Sequence, residues 1–317
     1  MPGKINRRTF IKQTTAIGAS AVIGGQILFD LFGPRADSAF AVETPDIVAI
    51  KGTDYFANTI KAVDLVGGMG KFVSKGSTVA LNVNAVRNTP GTNVRTGMVL
   101  AVMKMCYDAG ASKIFVFKEF PKDYWKNIDL SNEYKEQIDS LTYSEWNTRK
   151  VDLPKGKTLK EAHVVPELLD CDVYINMPII KHHEGTLQTG VLKNVMGGTA
   201  HKPTNRLCHL GPNYKGDFYE DIPHLTQCIA DLNLVRKPNL CICDGTEFIT
   251  ENGPFGPGPL KKLDKIVVGI DPVATDAYCA SFLDLDGPQL PTVTKAAEHG
   301  LGIGDLTKIK ISEIDGQ

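Results

Sequence analysis

Lysine and histidine side chains gather after one short apolar stretch of the sequence. Lys181, His182 and His183 follow residues 172–177, and Lys193 lies a little further along the chain. A lysine supplies a positive charge for an anion, and a histidine can act as an acid, a base or a metal ligand. A solvated polar loop is the alternative, but charged loops at the binding edge of a sheet favour function. The pattern predicts a site for a small anionic ligand, with these four residues as candidate catalytic groups.

A glycine-rich segment directly follows Lys193. It contains Asn194, Gly197 and Gly198. Glycine-rich backbone beside lysine and asparagine can present N–H donors to a phosphate or a carboxylate. Gly197 and Gly198 could equally end a helix. We identify Asn194, Gly197 and Gly198 as candidate cofactor-binding residues.

Acidic residues follow two later apolar stretches. Asp244 and Asp271 each end such a stretch, and Gly253 lies in a Gly/Pro-rich loop between them. Carboxylates at these positions could bind a cation or orient a lysine or a histidine. Asp244 and Gly253 join the candidate cofactor-binding residues. A metal ion held by His183, Asp244 and Asp271 is a further hypothesis, although the sequence has no H-E-x-x-H or H-x-x-E-H spacing.

Asp271 and Asp276 admit two interpretations each. Asp271 precedes Pro272, so it could simply cap the N-terminus of a helix. Asp276 lies further along the same predicted helix, where a charge that faces the sheet would be costly unless it is paired. We therefore add Asp276 to the candidate catalytic residues, and for Asp271 the capping and metal-binding interpretations both remain open.

Strand and helix patterns alternate along the chain that carries these residues. Apolar runs predict strands, helical spacing of apolar residues predicts helices, and residues 121–151 predict a polar and aromatic surface excursion with one helix near 132–140. Predicted strands cover residues 46–51, 77–83, 113–117, 172–177, 239–243, 265–270 and 308–312, and predicted helices cover 58–66, 96–109, 223–235, 272–283 and 290–299. The alternation predicts an α/β fold: a mainly parallel twisted sheet with helices on both faces, a Rossmann-like three-layer arrangement in a single large domain. The last strand is expected at an edge because it alternates with lysines.

The N-terminus has the composition of an export signal. Arg7 and Arg8 precede a hydrophobic residue and a lysine, a weakly apolar Ala/Gly-rich segment follows, and residues 39–41 have the small-x-small pattern of a cleavage site. The pattern predicts a twin-arginine (Tat) signal peptide at residues 1–41, cleaved after Ala41, and a domain at residues 42–317. An uncleaved membrane anchor is the alternative, but glycines and polar residues dilute the apolar segment. The expected partner is the Tat translocase, and the expected location is the periplasm or another extracytoplasmic space.

Composition excludes some classes of partner and cofactor. Removing residues 1–41 deletes five basic and two acidic residues and takes the formal net charge from −1 to −4. A mildly acidic protein without a basic run argues against nucleic acid as a partner. The seven cysteines include no C-x-x-C pair, so an intrinsic 4Fe-4S cluster is not supported. Most of the cysteines are expected to be buried as small hydrophobic residues. The identity of any cofactor stays unknown, with a metal ion as one hypothesis.

Five segments of the chain form a recognisable combination: LNVNAVRNTP, AGASKIFVF, CDVYINMPIIKHHEGTLQTGVLKNVMGG, RKPNLCICDGTEFITENGPFGPG and VVGIDPVATDAYCASFL. Their most specific elements are P-x-x-K-x-H at Pro178, Lys181 and His183, T-G-x-x-K-N at residues 189–194, and D-P-V-A-x-D at residues 271–276. In this order the segments resemble the domain of unknown function 362 family over nearly all of residues 42–317. The family motif commonly has threonine between the lysine and the histidine, where this chain has His182.

The resemblance implies a fold and a set of site residues but no agreed activity. Many members of the family carry a ferredoxin-like iron–sulfur module, and this sequence has no such motif, so we expect a separate redox partner protein with iron–sulfur clusters. The Tat route carries folded proteins, often with a cofactor already inserted. We expect an exported redox-associated or metal-dependent enzyme in which Lys181, His183, Lys193 and Asn194 hold an anionic ligand or cofactor. The alternative is a non-catalytic periplasmic ligand-binding or cofactor-assembly factor.

Overall fold

Eight strands pair into one mixed sheet in the computed structural model, which describes residues 44–126, 132–145, 147–199, 204–211 and 222–317. These residues belong to the compact unit Glu43–Gln317. The strands are β1 (Ile47–Lys51), β2 (Thr78–Val83), β3 (Lys113–Val116), β4 (Thr142–Tyr143), β5 (Arg149–Asp152), β6 (Glu161–Val164), β7 (Val173–Met177), β8 (Lys181–His183), β9 (Leu187–Thr189), β10 (Leu240–Ile249), β11 (Leu260–Gly269) and β12 (Ile311–Asp315). The predicted Tat signal peptide lies outside the described residues.

The order of the large sheet is β12-β1-β11-β10-β7-β2-β3-β4. Strand β11 is antiparallel to both of its neighbours, and the other strand pairs are parallel. Strands β5 and β6 form one separate antiparallel pair, and β8 and β9 form another. The sheet is therefore mostly parallel, as the alternating sequence pattern predicts.

Helices cover both faces of this sheet. They are α1 (Tyr55–Leu65), α2 (Thr96–Asp108), α3 (Asn132–Asp139), α4 (Pro166–Asp170), α5 (Val191–Asn194), α6 (Thr204–Leu210), α7 (Ile222–Leu232), α8 (Pro272–Cys279) and α9 (Pro291–Glu298), and a 3-10 turn at Val195–Thr199 continues α5. Side chains of adjacent residues in a strand point to opposite faces. Accordingly, Val79 and Leu81 of β2 pack in one buried cluster with α1 and α2, whereas Ala80 packs in a second cluster with α7 and α9. The predicted three-layer α/β fold is confirmed.

Two parts of the sheet differ from the sequence-based prediction. The predicted strands at 239–243 and 265–270 are the inner halves of β10 and β11, which form one long antiparallel hairpin. The outer halves contain Glu247, Lys261 and Lys262, and these polar residues hide the strand pattern. The last strand begins at Ile311, later than predicted, and it lies at the sheet edge beside β1 as expected.

The cysteines lie in the core, as the sequence analysis predicts for most of them. Each of the seven cysteines is buried. No helix within the described ranges is long and apolar enough to cross a membrane.

Candidate functional site

A cavity of about 360 Å³ opens beyond the carboxyl ends of the central strands. Strand β2 supplies Asn82 at its end, and Lys118 follows β3 by two residues. The chain that leaves β7 pairs with β10, since the Ile180 N–H donates to the carbonyl of Asp244 at 2.8 Å, and this pairing carries Lys181 to the cavity wall. Ligands of open α/β sheets bind at this edge. The fold therefore brings charged residues from four separate stretches of sequence to one place.

The cavity wall carries an excess of basic groups. We call this site the lysine cavity and define it by Lys118, Lys181, Lys193, His183 and His209, all of which line it. Arg87 lines its mouth, and the amide side chains of Asn82, Asn84, Asn194 and Asn205 line it as well. Among the residues of the lining that the structure describes, none is an aspartate or a glutamate. The wall is thus complementary to an anion.

Lys181 is the most enclosed of the three lysines. The residue begins β8 and is only 4% exposed. The Nζ donates to the carbonyl of Thr92 at 2.9 Å and to Oδ1 of Asn84 at 3.3 Å. Burial, reinforced by the charge of Lys193, lowers the pKa of Lys181 to about 7. The neutral form of the Lys181 side chain is therefore accessible near pH 7.

Lys193 and Lys118 reinforce each other's positive potential. Burial and the charge of Lys118 lower the pKa of Lys193 to about 8, and burial also lowers the pKa of Lys118. Within the described part of the chain, neither Nζ has a hydrogen-bonded acceptor or an ion-pair partner. A partly buried ammonium without such a partner costs free energy, and a bound anion would remove that cost.

The two histidines of the cavity are neutral at physiological pH. The Gly185 N–H donates to Nδ1 of His183 at 3.0 Å, so the proton of the neutral His183 ring sits on Nε2. Burial first, and then the charge of Lys193, hold the pKa of His183 far below its usual range. Burial and Lys193 also lower the pKa of His209 to about 4, and its Nδ1 donates to the carbonyl of Asn205 at 2.9 Å. His183 is therefore equipped as an N–H donor rather than as a cation.

Asn194 ties the loop beyond α5 to the central strands. Its Nδ2 donates to the Asn82 carbonyl at 2.9 Å and to Oδ1 of Asn176 at 2.7 Å. A Cβ added at Gly197 would collide with Oδ1 of Asn82, so only glycine fits there without displacing that side chain. Gly197 lines the cavity, whereas Gly198 packs beside Leu168, where an added Cβ would lie 3.2 Å from it. The glycines permit close packing of the cavity wall against β2.

Asp276 holds the helix that carries Lys193. It is 2% exposed, and its carboxylate accepts hydrogen bonds from the N–H groups of Val191 at 2.5 Å and Leu192 at 2.9 Å. Burial raises the pKa of Asp276 to about 7, against the lowering effect of these N–H donors. Asp276 does not line the cavity. Its carboxylate therefore acts on the backbone of α5, and it is a positioning residue in this structure.

Asp244 and Asp271 also accept hydrogen bonds from backbone groups. Asp244 is fully buried and accepts from the N–H groups of Arg95 at 2.6 Å and Thr246 at 2.8 Å, and burial raises the pKa of Asp244. Asp271 is the N-cap of α8 and accepts from the N–H groups of Val273 and Ala274, each at 2.9 Å. Of the two interpretations of Asp271, the structure supports the cap.

His182 and Gly253 lie together behind the cavity mouth. The Gly253 N–H donates to Nδ1 of His182 at 3.1 Å, and an added Cβ at Gly253 would collide with the His182 carbonyl. Neither residue lines the cavity, but Phe255 in the same loop does. The guanidinium carbon of Arg87 lies 4.1 Å from the centre of the Phe255 ring, a cation–π contact that joins two loops at the mouth.

The structure brings some of the predicted site residues together and separates others. Lys181, His183, Lys193, Asn194 and Gly197 line one cavity. The other predicted residues lie outside its lining: His182, Gly198, Asp244, Gly253, Asp271 and Asp276. The hypothesis of a metal ion at His183, Asp244 and Asp271 gains no support from this placement, because both carboxylates bind backbone N–H groups. Across the described residues, no group of three or more histidine, cysteine, aspartate or glutamate side chains is arranged to hold a metal ion.

Several lining residues escaped the sequence analysis. Asn82 is the second-last residue of β2, Lys118 follows β3, and His209 lies on α6. The first two could have been found by applying the strand-end rule to every predicted strand. His209 has no comparable signal, because it reaches the cavity from a helix remote from the strand ends.

The fold and the site define a class: an α/β protein with a cation-lined cavity at the carboxyl edge of a mostly parallel sheet. The chain belongs to the family described as Domain of unknown function (DUF362), whose model matches residues 78–281. That region contains every residue that lines the lysine cavity.

Known proteins resemble this chain at moderate to low identity. It is 27% identical to the thylakoid-associated protein sll1697 of Synechocystis over 247 residues, which cover 75% of this chain and 72% of that protein. The lactate racemase apoprotein of Thermoanaerobacterium thermosaccharolyticum shares 12% identity at a TM-score of 0.41, over 62% of this chain and 51% of that one. A protein of Thermotoga maritima shares 13% identity at a TM-score of 0.39, over 78% of this chain and 60% of that one.

Proposed function

We propose that the protein binds a small anionic molecule, a carboxylate or a phosphate, in the lysine cavity. One observation carries the proposal: Lys118, Lys181 and Lys193 line a single cavity whose described lining contains no carboxylate. Structural lysines in protein interiors are normally paired with acidic groups, because an unpaired buried charge costs several kcal/mol. A cost of this kind is typical of a functional site, where stability is exchanged for the ability to bind a ligand.

The remaining wall supports the same ligand class. The neutral His183 ring, with its proton on Nε2, lines the cavity and adds no negative charge to the wall. The Asn84 side chain contacts both Lys181 and Asn194 and so connects the β2 end to α5. A volume of about 360 Å³ is at the small end of ligand pockets, which favours a ligand of small-metabolite size.

The lysines also favour an enzyme over a passive binder. Lys181 and Lys193 have pKa values lowered to about 7 and about 8, which allows each to donate or accept a proton near neutral pH. The alternative, a non-catalytic ligand-binding or cofactor-assembly factor, would use the same charges without a chemical step. Ligand binding without turnover of any bound carboxylate or phosphate would favour that alternative.

A metal-dependent reaction fits the described residues less well than anion binding. Nδ1 of His183 accepts the Gly185 N–H, so this ring can bind a metal ion only by losing that bond or the proton on Nε2. A redox role with an iron–sulfur partner protein remains a proposal supported by the family resemblance.

Export by the Tat translocase to the periplasm is a separate proposal, supported by Arg7 and Arg8 and the apolar segment that follows them. Cell fractionation of the wild type and the Arg7→Lys, Arg8→Lys double variant tests it. We expect the wild type in the extracytoplasmic fraction, shortened after Ala41, and the variant retained in the cytoplasm. Equal distribution of the two proteins would contradict Tat export.

Anion-dependent thermal stability tests the proposed binding. Phosphate, sulfate and acetate are added at constant ionic strength with chloride as the reference, to the wild type, to Lys193→Met and to Lys262→Met, which replaces an exposed lysine. A ligand at a hundredfold excess over its Kd stabilises the native state by about 2.7 kcal/mol. We expect at least one anion to raise the Tm of the wild type and of Lys262→Met but not of Lys193→Met. Equal shifts in all three proteins would contradict a specific site.

A further inference from the structure

Within the residues that the structure describes, the Nζ of Lys181 has two hydrogen-bond acceptors. It donates to the Thr92 carbonyl and to Oδ1 of Asn84. A neutral amine has two hydrogens and one lone pair, whereas an ammonium has three hydrogens. Two acceptors therefore satisfy the neutral amine completely and fix the direction of its lone pair. This arrangement suits a nucleophile.

The surroundings of Lys181 favour its neutral form. The residue is 4% exposed and lies in a cavity wall with two other lysines. Desolvation and a neighbouring cation are the two conditions that turn a lysine into a nucleophile for carbonyl compounds. Lys193 and Lys118 differ from Lys181, because in the described part of the chain their Nζ atoms have no hydrogen-bonded acceptor. Their charges stay available for the negative group of a ligand.

We propose that Lys181 forms an imine with the carbonyl group of a small anionic aldehyde or ketone whose negative group is bound by Lys193 and Lys118. This inference rests on the proposed anion binding and adds the substrate class: a carboxylate or phosphate that also carries a carbonyl group. Lys181 is then a catalytic residue, and the other two lysines select the anion.

The step is balanced without an oxidant or a metal. The lone pair of the Lys181 amine attacks the carbonyl carbon, and the electrons of the C=O π bond move to the oxygen. The resulting carbinolamine loses that oxygen as one water molecule, which takes both amine hydrogens, and a C=N bond forms. A proton from solvent converts the product to a protonated imine, whose charge the bound anion offsets.

Reductive trapping tests the proposal. The purified full chain is incubated at pH 7.5 with glyoxylate, a carboxylate that carries an aldehyde, and sodium cyanoborohydride, which reduces an imine to a carboxymethyl amine. Peptide mapping by mass spectrometry then compares modification of Lys181 with that of the exposed Lys262. The lowered pKa of Lys181 leaves much more of this side chain as the free amine at pH 7.5 than in a lysine of ordinary pKa. We expect Lys181 to be modified at least tenfold faster, and excess sulfate to slow that modification alone.

Variants and a binding measurement separate this inference from the proposed function. Lys181→Arg forms no imine at that position, so fast trapping in the cavity must vanish rather than move to Lys193 or Lys118; circular dichroism confirms that the variant folds. Sulfate binding is measured separately, on the wild type. Modification of Lys193 in preference to Lys181, or equal rates at Lys181 and Lys262 in a protein that binds sulfate, would overturn the imine and leave the anion site standing. A wild type that neither binds sulfate nor reacts selectively would overturn both proposals.

Discussion

The lysine cavity and the buried carboxylates show two different ways in which this protein buries charge. Asp244, Asp271 and Asp276 each accept two or more backbone N–H groups, so their charges are used to fix loops and helix ends. Lys118 and Lys193 line a cavity, and their Nζ atoms have no hydrogen-bond acceptor among the described residues. A charged group whose hydrogen bonds are made to the backbone indicates a structural role. A charged group that faces a cavity without a hydrogen-bond partner indicates a ligand-binding role.

The two groups are nevertheless connected at α5. Asp276 caps the N–H groups of Val191 and Leu192 from outside the cavity, and Lys193 and Asn194 follow them on the cavity side. A carboxylate can thus be necessary for the site without contacting the ligand. Substitutions that change stability and anion affinity independently distinguish the two roles.

Replacement of Asp276 by alanine should have the largest effect. It leaves two buried N–H groups without an acceptor, and we expect the free energy of unfolding to fall by about 3 kcal/mol. Sulfate affinity should fall as well, because α5 loses its anchor. Urea denaturation and calorimetry measure the two effects. Asp108→Ala removes an exposed carboxylate and serves as the control with little change; a similarly small change at Asp276 would show that its cap does not matter.

Replacement of Lys193 by methionine should have the opposite effect on stability. Methionine has a similar length and no charge to desolvate, so we expect the free energy of unfolding to rise by about 2 kcal/mol in the absence of anions. Sulfate affinity should fall at least tenfold. Chemical denaturation with and without sulfate checks both. A destabilised variant would mean that the Lys193 charge has a structural partner, and it would contradict the assignment of this lysine to ligand binding.

The pH dependence of stability should reveal the buried Lys181. Its pKa is about 7 in the folded protein and near 10.5 in the unfolded chain, so the unfolded chain binds more protons between these values. The free energy of unfolding therefore rises with pH in that window. Between pH 7 and pH 9 we expect the wild type to gain about 2 kcal/mol more than Lys181→Met. Urea denaturation at both pH values measures this difference. An equal change in the free energy of unfolding of the wild type and of Lys181→Met would contradict the lowered pKa.

Replacement of Asp271 by alanine should have the smallest effect. Loss of an N-cap costs about 1 kcal/mol. Because Asp271 lies outside the lining of the cavity, sulfate affinity should stay unchanged. Thermal denaturation and calorimetry test this. A loss of sulfate affinity without a loss of stability would instead show that Asp271 takes part in binding.

The sequence predicted the layers of the fold and half of the site. Hydrophobic periodicity located the central strands because they are buried on both faces, and the strand-end rule located Lys181, His183 and Lys193. The prediction that Asp244 and Asp276 belong to the site was wrong. The sequence around a carboxylate is the same whether that carboxylate faces a ligand or accepts a hydrogen bond from a backbone N–H. Lys118 follows a predicted strand and lies within reach of the same rule, whereas His209 reaches the cavity from a helix through tertiary packing, which local pattern does not encode.

Proton uptake on anion binding tests the central claim most directly. Sulfate does not titrate near neutral pH, and its charge should raise the lowered pKa values of Lys181 and Lys193. Calorimetric titration of the full chain with sulfate at pH 8, in two buffers of different ionisation enthalpy, measures the protons taken up. We predict uptake by the wild type and a clear reduction of both uptake and affinity in Lys193→Met. Sulfate binding without proton uptake, or with equal affinity in the variant, would contradict the account.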